Sequence, residues 1–376
     1  MNTFGFIGHY LGTENFCDLI GWPGSLLRYL PRPFLKDLIR ALPPYRFLKM
    51  PPFVSESGTT AHGHGFIAPF LPEHLVTWGE QRVLEKVIIA GQFAERLGAR
   101  IVGLAGFTSV VGNEGEALSK KLNIAVTSGN TLTAALALQG LRKAAALMGV
   151  PIRSSTVAII GATGDIGSIC TKILSNEVRR LQLAARNEVK LEAFAATLRQ
   201  TTGCDVRVLK YVRDAVRDAD LILTATSATT TIIEPQDVKP GAIVCDVAVP
   251  HNVGTDLLRQ RNDVLVFEGG LAKMPVNYLT GNHKWSQISP DGVTIFGCLA
   301  ETLVLALEGR WENYSIGRGN ITPERVQEIE HLADRHGFRL ADFHYGGVLF
   351  TEDRIRGLVV NAIRANRSRI IEPIVA

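Results

Sequence analysis

The chain is poor in cysteine, in net charge and in long apolar runs. Its five cysteines (Cys17, Cys170, Cys204, Cys245 and Cys298) are scattered over 376 residues with no paired spacing. That excludes a disulfide-stapled scaffold and a cysteine-built zinc site, and no metal is expected. A formal net charge of +4 is too small to imply a nucleic-acid partner. No apolar run is long enough for a membrane span. The opening, Met1 to Tyr10, lacks the basic start and long apolar core of a secretion signal. These absences together predict a cytoplasmic protein with reduced thiols, one that touches a membrane only peripherally if at all.

What is present is a chain with 46% hydrophobic and 20% charged residues, long enough for two domains. Its centre is Val157-Ala-Ile-Ile-Gly-Ala-Thr-Gly-Asp-Ile-Gly-Ser168. An apolar run breaks into Gly161, Gly164 and Gly167 and then into a helix-like pattern. A buried parallel strand hands over to a tight turn and a helix N-terminus in this way, and the helix amides and dipole then face a diphosphate. Gly161, Ala162, Thr163, Gly164, Asp165, Ile166 and Gly167 are therefore candidate cofactor residues. The next strand-like run, Leu181 to Ala185, ends at Arg186-Asn187, where NAD enzymes usually carry an acid for the ribose 2′-hydroxyl. A guanidinium there favours a 2′-phosphate, so the expected cofactor is NADPH. Further strands are read at 206–209, 221–226, 242–248 and 264–267, which completes a doubly wound parallel sheet. Thr226 and Ser227 fall at its carboxyl edge, near the expected nicotinamide.

The expected layout is an N-terminal α/β substrate domain at 1–135, a Rossmann domain at 136–290 and a helical C-terminal region at 291–376. Two stretches are rich in basic residues. Between 28 and 49, Arg28, Arg32, Lys36, Arg40, Arg46 and Lys49 stand against Asp37 alone, with a short amphipathic helix expected around Leu35 to Leu42. Between 354 and 369 lie Arg354, Arg356, Arg364, Arg367 and Arg369. Either stretch suits an acidic partner or an anionic membrane surface.

Cys298, in Ile295-Phe-Gly-Cys-Leu-Ala-Glu301, stands at the start of an apolar helix pattern. A helix dipole lowers a thiol's pKa, which would make Cys298 a nucleophile at neutral pH, although a buried cysteine is also an ordinary small hydrophobe. Cys170 and Cys245 read as core; Cys17 and Cys204 carry no distinguishing context.

The chain resembles the long-chain acyl-[acyl-carrier-protein] reductases of cyanobacteria. The resemblance rests on Phe4-Gly-Phe-Ile-Gly-His9, His62-Gly63, Phe70-Leu-Pro-Glu73, Gly106-Phe-Thr-Ser109, Ser128-Gly-Asn-Thr131, the 157–168 loop and Ala185-Arg-Asn187. Cys298-Leu-Ala-Glu301, Glu308-Gly309, Asn313-Tyr-Ser315, Gly317-Arg318, Asn320-Ile-Thr322 and Arg335-His-Gly-Phe338 complete it. The resemblance implies a Rossmann reductase in which Cys298 takes the acyl group from an acyl carrier protein or acyl-CoA thioester. NADPH would then reduce it to a fatty aldehyde that another enzyme could consume. Oxyanion or positioning roles fall to Asn130, Thr131, His251 and Glu301, with Glu301 the least catalytic. Asp246-Val-Ala-Val-Pro-His-Asn-Val-Gly254 departs from the family, which has glycines before the proline and a lysine after it. The rival readings are a catalytically silent NADPH sensor or scaffold, and an oxidoreductase of the shikimate dehydrogenase or glutamyl-tRNA reductase type.

Overall fold

The computed structural model describes residues 2–20, 22–276, 278 and 288–371, with residues 22 and 368–371 by backbone alone. Gly21, the side chain of Arg369 and residues 372–376 of the expected C-terminal region lie outside the described residues. The chain divides into two compact units. One comprises 1–132, 272–321 and 325–339; the other comprises 133–271, 322–324 and 340–376. The region expected to stand apart at 291–376 is thus shared between the two units.

The first unit is built on five strands: β1 (Thr3–Gly8), β2 (Tyr45–Val54), β3 (Thr60–Ile67), β4 (Ile101–Leu104) and β5 (Ala125–Thr127). Their order is β2-β3-β1-β4-β5. Only the β2–β3 pair is antiparallel. β2 contains Pro51-Pro52. It tolerates them because it is an edge strand and its register slips between Met50 and Phe53. Glu80–Arg96, a seventeen-residue helix, buries Val83, Val87, Ala90 and Ala94 in a core with Ile7, Phe66, Val102 and Val126. The expected amphipathic helix spans Arg32–Ala41 and buries Leu35 and Ile39.

The second unit contains a wholly parallel sheet of β6 (Thr156–Ile160), β7 (Arg180–Ala184), β8 (Asp205–Val208), β9 (Leu221–Thr224), β10 (Ile243–Asp246) and β11 (Leu265–Glu268). The order β11-β10-β9-β6-β7-β8 is that of a doubly wound Rossmann sheet. Val157, Ile159, Leu181, Leu183, Leu223, Ile243, Val244 and Val266 are all 1% exposed or less. Continuous apolar runs of this kind mark strands covered on both faces. The strand order reverses between β6 and its neighbours β7 and β9, and that point, at the carboxyl ends, is where such sheets hold ligands. Helix Glu352–Ile371 follows a small hairpin, His344–Tyr345 with Val348–Leu349.

Candidate active site

In the second unit, β6 runs into the glycine loop at the switch point. Gly161 has φ +87°, and a β-carbon there would lie 2.4 Å from the carbonyl oxygen of Ala225. One on Gly167 would lie 2.2 Å from the carbonyl oxygen of Gly161. The turn is therefore closed to any side chain at these two positions. Helix Asp165–Leu174 starts directly after it, with Gly164 at its cap and no side chain capping the end. Ala162 and Asp165 are buried, while Thr163, Gly164 and Ile166 are partly exposed. A glycine cradle opening onto a helix N-terminus fits a dinucleotide diphosphate.

Arg186 is exposed just beyond β7 and its Nη2 donates to Ser227 Oγ at 3.0 Å. The structure thus brings together two residues that the sequence places 41 positions apart. Asn187 caps helix Glu188–Thr201, its Oδ1 accepting from Lys190 N at 2.9 Å. Its carbonyl end therefore shapes the turn. Thr226 Oγ1 donates to Asn252 Oδ1 at 2.7 Å, as does Thr224 Oγ1. Asn252 is fully buried.

The loop after β10 hangs on Asp246. Its Oδ1 accepts from Ala248 N at 3.1 Å, and its Oδ2 from Asn252 N, Val253 N and Tyr345 Oη at 2.9, 3.0 and 2.8 Å. Burial raises the Asp246 pKa, against the pull of His251 and these donors. His251 lies between two carboxylates, Nδ1 3.7 Å from Asp246 and Nε2 3.4 Å from Glu268. Burial alone would lower its pKa, but Glu268 and Asp246 outweigh that and raise it. His344 reaches the other oxygen of Glu268 at 3.8 Å.

In the first unit, Cys298 sits in the first turn of helix Gly297–Leu307. The other four cysteines are buried; Cys298 is partly exposed. Gly129, at φ +77°, brings its backbone against this residue. The expected dipole-activated thiolate is not what the structure holds. Burial pushes the Cys298 thiol up to about 12, helped by the charge of Glu301 and opposed by the Leu299 and Cys298 amides. The helix end acts in the expected direction but is too weak to overcome desolvation.

Glu301, one turn further on and fully buried, is the hub of a network that the sequence did not reveal. Its Oε1 accepts from Thr127 Oγ1 and from Ser315 Oγ, the latter at 2.7 Å. Its Oε2 accepts from Leu132 N at 2.8 Å. Desolvation raises the Glu301 pKa while these donors and the Thr131 amide lower it. Thr131 Oγ1 meets Ser315 Oγ. The hydroxyl and the amide of Thr131 are thus both engaged with the Glu301 cluster. The amide of Asn130 points to Ser128 Oγ at 3.4 Å.

Lys86, in the first unit, donates to the carbonyls of Arg40, Leu42 and Pro69 at 2.9, 2.8 and 3.0 Å. Desolvation lowers its pKa to about 8, and its work is to tie the end of helix Arg32–Ala41. The basic stretch at 28–49 is less bare than its composition suggests. Arg28 pairs with Asp18, Arg32 with Glu14 at 2.8 Å and Lys36 with Glu73 at 2.9 Å. In the C-terminal helix Arg356 pairs with Asp353, and Arg354 covers the ring of Phe350. Among the described residues no helix is long and apolar enough to cross a membrane, and no cluster of three potential ligands could hold a metal ion.

Residues 143–268 match the shikimate/quinate 5-dehydrogenase family model. The chain is 30% identical to the aminotransferase PigE of Serratia over 89% of its own length, but it spans only 39% of that protein. It is 26% identical to glutamyl-tRNA reductase of Actinobacillus succinogenes over 48% of the chain and 44% of that enzyme. With the long-chain acyl-[acyl-carrier-protein] reductase of Synechococcus elongatus it shares 30% identity over 76% of the chain and 84% of the relative. By that relationship, and with a Rossmann unit akin to those of shikimate dehydrogenase and glutamyl-tRNA reductase, the chain belongs to the long-chain acyl-[acyl-carrier-protein] reductase family of NAD(P)-dependent oxidoreductases.

Proposed function

We propose that the protein reduces a long-chain fatty acyl thioester to a fatty aldehyde with NADPH, through an acyl group carried on Cys298. The observation that carries this reading is Cys298 itself, the one partly exposed cysteine, in a helix first turn against the backbone of Gly129. The relationship to the Synechococcus reductase supports acyl carrier protein as the carrier of the thioester.

The Cys298 sulfur bonds to the acyl carbon as the carbon–sulfur bond to the carrier breaks, and the thiol proton passes to the departing carrier sulfur. The Gly161 loop and the start of helix Asp165–Leu174 would hold a reduced nicotinamide dinucleotide, which would supply the hydride for the second stage. The aldehyde leaves as the Cys298 sulfur regains a proton, so one acyl thioester, one NADPH and one proton give aldehyde, free carrier thiol and NADP⁺. A thioester accepts both sulfur and hydride readily, so no ATP is needed. Arg186 and Ser227 select the 2′-phosphate, with the guanidinium as its charged partner. The Glu301 network positions Cys298.

The test is purified protein with NADPH and long-chain acyl thioesters of acyl carrier protein and of CoA. Product is identified by mass, and Cys298→Ser is run alongside. Aldehyde from the wild type and none from the variant is the expected result. Aldehyde formation surviving in Cys298→Ser would overturn the mechanism. Nucleotide binding without turnover of any thioester would favour the sensor reading.

A further inference from the structure

Ser315 is a non-glycine residue in the left-handed region, at φ +52°, and is only 3% exposed. That conformation costs an L-residue about 1 kcal/mol or more, so neighbouring interactions must hold it. Three do, through Glu301, through Thr131 in the first turn of helix Asn130–Met148, and through Ser128 in the turn before it. Ser315 Oγ donates to Glu301 Oε1 at 2.7 Å. With its proton committed there, the same oxygen accepts from Thr131 Oγ1. The Ser315 carbonyl accepts from Ser128 Oγ.

The residues beside it repeat the pattern. Asn313 Oδ1 accepts from Val126 N at 2.9 Å, Tyr314 N donates to the Val126 carbonyl at 2.9 Å, and Gly317 N donates to the Glu114 carbonyl at 3.2 Å. Residues 313–317 thus form a strap sewn along the end of β5 and the loop after it. That loop carries Gly129, whose backbone meets Cys298, and the carboxylate the strap grips belongs to the same helix as Cys298.

We propose that Ser315 is a positioning residue for Cys298, locking the end of β5, the turn at 128–129, the start of helix Asn130–Met148 and Glu301 into one rigid wall beside the sulfur. The inference deepens the proposed function and rests on it only for the acyl step. Ser315 touches no reacting atom; it acts through Glu301 and through the loop. Glu301 is the charged group acting on Cys298, and Tyr314 of the strap is the titratable group coupled to Glu301. Burial is the main cause of the raised Cys298 thiol and the Glu301 charge adds to it; losing the Ser315 donor moves Glu301 toward its neutral form and weakens that added part.

Ser315→Gly keeps the left-handed backbone and removes the hydroxyl, so it separates the network from the turn. Melting temperature and NADPH binding report folding. Alkylation of Cys298 by iodoacetamide, followed by mass across pH, reports the thiol, and single-turnover acyl transfer reports its placement. The variant is expected to stay folded, with a KM for acyl thioester close to wild type and a kcat lowered about tenfold. Its alkylation profile is expected to move to lower pH. Wild-type kcat, or an alkylation profile superimposable on that of the wild type, would overturn the proposal. Should Ser315→Gly fail to fold, Thr131→Val removes the facing hydroxyl at nearly constant volume, and the same two outcomes decide. If the wild type reduces no acyl thioester, the proposed function falls, and the alkylation comparison still decides the role of Ser315.

Discussion

A β-carbon on Gly129 would lie 2.2 Å from the Cα of Cys298 and 2.4 Å from its Cβ. No side-chain adjustment relieves the first contact, because backbone meets backbone. Gly129→Ala is therefore expected to displace the loop from the helix, on top of the roughly 1 kcal/mol that φ +77° costs an alanine. Acyl reduction should be lost and the melting temperature lowered, while NADPH binding by the second unit persists. Wild-type turnover in this variant would show that the loop does not set the surroundings of Cys298.

Arg186 is the only one of the nucleotide-binding candidates with a fixed positive charge. Arg186→Ala should raise the KM for NADPH at least about tenfold, since charge-assisted bonds to a phosphate contribute roughly 1.5–3 kcal/mol. The KM for NADH should change little. Equal effects on the two nucleotides would remove Arg186 from 2′-phosphate recognition.

The thiol of Cys298, pushed up to about 12, is protonated at neutral pH in the protein without substrate. Iodoacetamide should therefore modify it slowly near pH 7, with a rate that climbs about tenfold per pH unit through pH 9 or so. A plateau below about pH 8 would mean an activated thiolate in the resting protein.

His251 has a pKa raised by Glu268 and Asp246 despite its burial. A histidine raised in the folded state stabilises that state fully below the unfolded pKa of about 6.5, and loses the contribution as pH climbs through the folded value. Exchange for glutamine should thus lower the melting temperature most below the unfolded pKa of about 6.5 and progressively less as the pH rises beyond it. A loss independent of pH would show that His251 contributes packing and not charge.

The Rossmann sheet was legible because β6, β9, β10 and β11 are short, largely apolar runs, and because the glycine loop marks the hand-over from β6 to helix. The carboxyl-edge residues Thr226 and Ser227 followed from that register. β2 was not legible, since two prolines mask an edge strand whose identity depends on pairing with β3. The Glu301 network escaped for a different reason. Thr127, Glu301 and Ser315 are joined across 174 and 14 positions of sequence, and neither spacing is periodic. Ser315 was hidden further, because a left-handed serine carries no glycine to announce the turn. The expected activation of Cys298 followed from helix position alone; desolvation and the charge of Glu301 depend on packing that position does not encode.

The six strands of the Rossmann sheet are contiguous in the sequence, from Thr156 to Glu268, whereas the unit holding Cys298 draws on three separate stretches ending at residue 339. A nascent chain released as far as residue 268 already has every strand of the nucleotide-binding sheet. It has as yet neither the sulfur nor the strap that braces it. Synthesis therefore delivers the strands of the Rossmann sheet before the helix of Cys298 and its brace, and a ribosome stalled between them would display an incomplete first unit with β1 to β5 still lacking that helix.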